Sequence, residues 1–298
     1  MVTYLYSTDD NVPGTNSAKE GLLDFITNIS PKDTPFTSGL KVQHDAYRQV
    51  NWLVDSLPSR GSKVTIEGED AVYADVTAPT RAYNYMSQIE VTWQITDTNI
   101  ATSHAGMSDL LSYEIAKQSA VWKNALEYDA ILGTRTDYTE TSTGAIMGGA
   151  ETWITSNATA LGSNPLDEKA LNDLSNDVYD DGGNPTEVYC GGWLKRKISS
   201  FSTNVKNVEA ADKRLINAVD VYINDFGQLK IMLCRDVTAG SLMLIDPKLW
   251  ALSYLVDPHK EDRAKTGSAV RGVIIGDVTL ISKQELGNGI ITGASTTV

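Results

Sequence analysis

The sequence predicts an α+β fold, and three patterns predict it. Between Met86 and Ile95 the apolar residues Ile89, Val91, Trp93 and Ile95 alternate with Gln88, Glu90, Thr92 and Gln94, the period of two that marks a half-buried strand. From about Ser108 to Leu132 the spacing becomes that of a long helix, with Leu111, Ile115, Trp122 and Leu126 on its buried face and Gly133 as the C′ residue. Beyond residue 163 helical and strand signals alternate. They end in AVDVYINDFGQLKIML, where Val219, Val221 and Ile223 precede a turn at Asp225 to Gly227, and Leu229, Ile231 and Leu233 follow it.

The elements follow in chain order. Residues 1–18 are polar and read as an arm ordered only by contact with something else. Leu22, Phe25, Ile26 and Ile29 then fall on one face of a short helix, which Ser17 and Glu20 open as a capping box and Pro31 and Pro35 close. A helix of that length is marginal alone in water, so its apolar face needs a partner within this subunit or on another. Gln49 to Val54 is the expected partner of the 86–95 strand. The Gly-, Pro- and charge-rich stretch between them exceeds an ordinary connection, and reads as a lid, a binding loop or an extended hairpin leaving the subunit.

On the long helix, Lys123 and Glu127 stand one turn apart and are expected to pair in solvent. Thr134 to Gly162 is weakly patterned and separates two halves. Asn164 and Pro165 open a helix carrying Leu166, Ala170, Leu174 and Val178, which Gly182 and Gly183 end. A short strand EVYC, a helix from Trp193 to Phe201, and strands in SLMLIDP and VIIGDVTLIS follow, the last with Gly276-Asp277 suited to a tight hairpin.

Composition narrows the function. The chain has 298 residues, 41% of them hydrophobic, enough for one large or two modest domains. A formal charge of -13 argues against a surface built mainly to grip phosphate backbones. The two cysteines, Cys190 and Cys234, form no CxxC and read as reduced core residues. The N-terminal residues lack a basic segment followed by an apolar core, and no apolar run has the length of a membrane span, so secretion by that route and a membrane partner are not expected.

Catalytic constellations are poor. His44, His104 and His259 are far apart and in no ligand spacing, and neither a GxSxG elbow nor a phosphate-binding GxxxxGK[ST] occurs. GNGIITG near the C-terminus reads as a loop, and the acidic NDVYDDGGNP, with Asp177, Asp180 and Asp181, reads as a solvated helix end outside the calcium-loop register. Cys190, before Gly191-Gly192-Trp193, has no histidine partner in sequence. Lys195, Arg196 and Lys197 form the sharpest basic run, opposite Leu194, Ile198 and Phe201. They read as a solvated face or as contacts with a neighbouring subunit or packaged nucleic acid. No catalytic residue, metal site or cofactor is expected.

The stretches EGLLDFITNISPKDTPFTSGL (20–40), TIEGEDAVYADVTAPTRAYNYMSQIEVTWQITDTNIATSHAG (65–106) and LLSYEIAKQSAVWKNALEYDAILG (110–133), in that order, resemble major capsid proteins of tailed double-stranded DNA bacteriophages, of the Hong Kong 97-type fold. The resemblance implies an N-terminal arm (1–47), an extended β-hairpin loop (48–88), a peripheral domain (89–162) with a spine helix at 108–132, an α/β axial domain (163–258), and return strands with the C-terminus (259–298). It also implies assembly contacts at Leu22, Phe25, Ile26, Ile29, Pro31, Asp33, Pro35 and Phe36 of the arm, and at Arg60, Lys63, Glu67, Glu69, Asp70 and Arg81 of the loop. Lys195, Arg196 and Lys197 become inter-subunit or DNA-facing contacts. The implied partners are further copies, as pentamers and hexamers. Portal, scaffolding and decoration proteins, and packaged DNA held without sequence-specific binding, complete the set, in a virion assembled in the host cytoplasm. Some members cross-link a loop lysine to a neighbour's asparagine. Lys63 is the only lysine of the 48–88 loop, and no motif here identifies an acceptor.

Overall fold

The computed structural model describes residues 34–57, 61–71, 73, 75, 76, 78–102, 109–138, 144–201, 221–265 and 267–297. The arm residues Leu22, Phe25, Ile26, Ile29, Pro31 and Asp33, with Arg60 and His104, lie outside them. In chain order the elements open with α1 (Pro35–Gly39), β1 (Lys41–His44), β2 (Gln49–Val54), β3 (Thr80–Tyr85), β4 (Ser87–Thr96) and α2 (Asp97–Ala101). The long helix α3 (Leu110–Leu132) is followed by α4 (Ala150–Trp153), β5 (Ala158–Ala160), α5 (Glu168–Asp180), β6 (Glu187–Cys190) and α6 (Gly192–Phe201). β7 (Val221–Asn224), β8 (Gly227–Leu233), β9 (Leu242–Ile245), β10 (Trp250–Arg263), β11 (Ala269–Ser282) and β12 (Gly289–Thr292) complete it.

Two sheets carry the fold. The first has the order β1-β10-β11-β4, and α3 lies across one face, where the Trp122 indole donates to the Ile89 carbonyl at 3.0 Å. The alternation in β4 is as the sequence predicts, with Ile89, Trp93 and Ile95 buried and Glu90, Thr92 and Gln94 exposed. Its partner, however, is β11 (Ile89 opposite Gly276), and β2 pairs instead with β3 in a separate two-stranded ribbon, Gln49 opposite Tyr85 through Val54 opposite Thr80. The second sheet has the order β5-β12-β9-β6-β8-β7, covered on one face by α5 and α6 through Leu171, Leu174, Leu194 and Ile198. Its other face gives Tyr189, Met243, Ile245 and Ile290 to the cluster that holds Trp122, Leu126 and Trp250. One core thus joins both sheets.

Capping sets the helices. Asp109 accepts from the Leu111 amide and starts α3, and Asp167 accepts from the Ala170 amide and starts α5, three residues after the Asn164-Pro165 start expected from sequence. Of the expected buried face of α3, Trp122 and Leu126 are buried, while Leu111 and Ile115 are half-buried. Gly133 is no left-handed C′ residue, since its φ is -51°. Close approach requires glycine there, because a Cβ would meet the Met147 carbonyl oxygen at 2.3 Å and that of Asp129 at 2.5 Å. Gly133→Ala should cost about 2 kcal/mol as backbone moves aside, read as a lowered urea midpoint with an unchanged slope.

Four other expectations are corrected. Gly276-Asp277 makes no hairpin, because β11 runs straight through it, and the glycine admits Trp122 and Pro258, which would meet a Cβ at 3.0 and 3.1 Å. GNGIITG is no loop, because Gly289–Thr292 is β12, seated between β5 and β9. In β7 the buried residue is Tyr222, while Val221 and Ile223 face out. The 134–162 stretch contains α4 and β5, and β5 belongs to the second sheet. Sheet membership also crosses the sequence divisions, since β10 spans the 258/259 boundary and β12 joins β5 and β9 rather than the return strands.

Candidate assembly surfaces

The root of the arm is fastened by a buried acid. α1 begins with Pro35, which has no amide to satisfy, and Thr34 makes no side-chain cap. The carboxylate of Glu127, on α3, takes that role from 90 residues away: Oε1 accepts from the Phe36 amide at 2.8 Å, and Oε2 from the Thr37 amide at 2.8 Å and its hydroxyl at 2.6 Å. Glu127 is fully buried. The solvent pair with Lys123 read from the sequence is therefore absent, because Glu127 lies on the inner face of α3 and Lys123 on the outer. Burial pushes the Glu127 carboxyl above its usual range, and the Thr37 and Phe36 hydrogen bonds oppose that shift. Phe36 completes the anchor, edge-on to Tyr189 at 5.4 Å and to Trp250 at 6.1 Å between ring centroids. It is wholly buried in its own subunit, so of the predicted arm contacts Phe36 holds the root rather than meeting a neighbour; Pro35 beside it is half-buried.

The ribbon of β2 and β3 is fixed mainly at its base, with one further tie past Val54, where the Gln284 side-chain amide donates to the Asp55 carbonyl at 3.4 Å. Asn84 is fully buried, its amide nitrogen donating to the carbonyls of Gly148 at 3.1 Å and Leu280 at 2.7 Å, and its oxygen accepting from the Gly148 amide at 2.8 Å. Around it Trp52 packs at a tilt against Trp153, Tyr85 packs between Tyr83 and Tyr138, and the Arg135 guanidinium lies 4.5 Å from the centre of the Tyr83 ring. Beyond this base the apolar side chains find no core. Leu57, Val64, Tyr73 and Val76 are each at least 90% exposed, and Ile66 is 75% exposed. Of the predicted loop contacts, Lys63, Glu67, Glu69 and Asp70 are all exposed in this segment. Arg81 is exposed near the outer end of the β2–β3 pairing, opposite Leu53, its Nε donating to Asn51 Oδ1 at 3.0 Å. The structure does not bring these charges together with the basic run.

That run lies on α6. Leu194 and Ile198 are buried, Arg196 is exposed over the Trp193 ring, and Lys195 and Lys197 are half-buried. Arg196 and Lys197 border a cavity of about 430 Å³ with Pro165, Leu166, Trp193 and Ser200. Cys190 and Cys234 are free and buried, and burial pushes their thiols up to about 12 and about 11, well away from thiolate chemistry at neutral pH. Among the described residues no group of three acidic, histidine or cysteine side chains is placed to hold a metal, and no helix is long and apolar enough to cross a membrane. Sequence reasoning missed Glu127 and Asn84. A carboxylate on a long helix and an asparagine in a strand carry no local signal of remote partners.

A family model described as SU10 major capsid protein matches residues 4–295. No curated protein matches the chain in sequence. Among solved structures, a chain of the Cyanophage A-1(L) capsid asymmetric unit superposes with a TM-score of 0.65 at 12% identity, covering 94% of this chain and 98% of that one. A chain from Gordonia phage Cozz gives 0.64 at 12% identity, covering 95% and 93%. The capsid of a native GTA particle, computed with C5 symmetry, gives 0.64 at 13% identity, covering 94% and 96%.

Proposed function

Because the chain belongs to the SU10 major capsid protein family and is a capsid shell subunit of the Hong Kong 97-type fold, we propose that it closes an icosahedral shell from pentamers and hexamers around double-stranded phage DNA. Beside family membership, one observation supports this reading. The β2–β3 ribbon carries Leu57, Val64, Ile66, Tyr73 and Val76 out of the subunit with almost nothing of its own to bury them. Exposed apolar area of that extent belongs at an interface, and a ribbon braced at its base by Asn84 is a lever for reaching a neighbour. On this reading the arm lies across an adjacent copy and the ribbon overlaps another, with α3 as the spine of the peripheral domain. The second sheet with α5 and α6 meets its copies around the five- and six-fold axes. Contacts that are individually modest become collectively strong, since each further engagement is intramolecular within the lattice.

The net charge of -13 suits a lining that contains DNA without adhering to it. Lys195, Arg196 and Lys197 would then contact a neighbouring subunit or the packaged DNA without reading its sequence. Portal, scaffolding and decoration proteins would be the further partners, and assembly would occur in the host cytoplasm. Negative-stain microscopy with native mass spectrometry of the purified chain tests the reading. Closed particles with pentamers or hexamers are expected. A stable monomer whose 55–79 connection between β2 and β3 resists protease would overturn it.

A further inference from the structure

β10 presents a bare edge of the first sheet beyond the end of β1. β1 covers it only from Ala251 to Tyr254, while β11 follows its other edge out to Arg263 opposite Arg271. Residues 256–263 thus have no strand on the β1 side among the described residues, and all but the half-buried Glu261 are exposed. A bulge between Val256 and His259 accommodates Pro258, and from His259 onward the pairing with β11 is regular. An open edge of this length is a template for another strand unless its side chains prevent it.

The side chains here are complementary in charge about Lys260, which itself would meet its own copy. In DPHKEDR, Asp257 and Arg263 stand three residues either side of Lys260, and His259 and Glu261 one residue either side. Antiparallel strands crossing at Lys260 set residue 260+k against residue 260−k. Glu261 then faces His259 within the regular stretch, Arg263 comes opposite Asp257 at the bulge, and a two-fold axis repeats both pairs. Centring on residue 259 instead sets Asp257 against Glu261, and centring on 261 sets His259 against Arg263. A centre between 260 and 261 no longer matches Asp257 with Arg263. Within the subunit Asp257 lies 3.6 Å from His44 at the end of β1, and Lys260 sits over the Trp93 ring of β4 at 5.6 Å. The other pairs run along the strand: Glu261 with His259 at 3.1 Å and Arg263 at 3.3 Å, and Lys260 with Asp262 at 2.9 Å. Exposed pairs of this kind are weak and can exchange for equivalent partners at little cost.

We propose that residues 256–263 of β10 pair antiparallel with the same residues of a second copy, across a two-fold axis centred on Lys260. The proposal rests on the shell reading, because a closed shell of one chain supplies such isologous contacts between capsomers.

The test uses cysteines in the full chain, whose own Cys190 and Cys234 are buried. A residue on the axis faces its own copy within disulfide reach. Lys260→Cys particles, mildly oxidised and run on a non-reducing denaturing gel, should appear mostly as covalent dimer. Asp257→Cys should give only a trace, and Asp257→Cys with Arg263→Cys should restore the dimer. Arg263→Asp should lower the particle yield at least tenfold, and adding Asp257→Arg should restore it. Lys260→Cys shells that stay monomeric on the gel would overturn the proposal and leave the charges as a guard against pairing. Failure of the charge swap to restore yield would overturn it as well. A wild-type chain that forms no shell, beside a Lys260→Cys chain that still dimerises, would sink the shell reading and leave the edge pairing standing.

Discussion

Glu127→Ala should cost about 3–5 kcal/mol and free the root of the arm, because it strands two backbone amides inside the protein. The Phe36 and Thr37 amides and the Thr37 hydroxyl all end on that one carboxylate, and each buried donor left without a partner costs about 1–3 kcal/mol. The effect divides in two. Urea unfolding reports the overall loss, and limited proteolysis reports faster cleavage in residues 34–40. An unchanged midpoint would mean that water replaces the carboxylate at no loss.

The same residue gives stability a sign with pH. Burial holds the folded carboxyl above its ordinary value of 4.5, so the folded chain keeps this proton more tightly than the unfolded chain does. The Glu127 contribution is therefore most favourable below about 4.5 and diminishes as pH rises through the elevated folded value. Glu127→Gln should remove that part of the slope, measured as the difference between the two stability-against-pH curves. Asp129, also raised by burial, remains in both curves and cancels.

Asn84→Leu should cost about 3 kcal/mol and act on assembly more than on the fold. Leucine cannot replace the contacts to the Gly148 amide and carbonyl and the Leu280 carbonyl, and buried groups that lose such partners carry most of the penalty. The loss falls where the ribbon joins the body. Under conditions where circular dichroism still shows a folded chain, the variant should give few closed particles by microscopy and faster cleavage within 55–79. Normal particle yield from a variant of reduced stability would show that the direction of the ribbon is set elsewhere.

Local pattern was legible where one face of one element decides it. The alternation of β4 and the run of α3 could be read from their own periods, and the short strands β6 and β9 as continuous apolar runs that are buried along their length. Partnership was not legible. Glu127 looked like an exposed member of an i,i+4 pair because the sequence does not show that α1 packs on that turn. Gly276 and Gly133 looked like turn residues because a glycine that admits a neighbour and a glycine that turns the chain read identically. β12 was hidden by its brevity, four residues between glycines whose burial comes from β5, β9 and α5. The ribbon was named as one of several readings of its loop. Its fastening through Asn84 depends on contacts across 64 and 196 positions.

The place of β12 between β5 and β9 has a consequence for synthesis. Among the described residues β5 has no other strand beside it, so Ala158 to Ala160 emerge from the ribosome and wait until Ile290 to Thr292 follow. Until then the second sheet lacks the strand that ties its early edge to its centre. A nascent chain carrying every catchable ribbon and arm segment is therefore still unable to present finished surfaces to its siblings. Premature entanglement between half-made copies is thereby delayed by chain order alone, and a cut at residue 162 would yield two pieces, neither of them an autonomous unit.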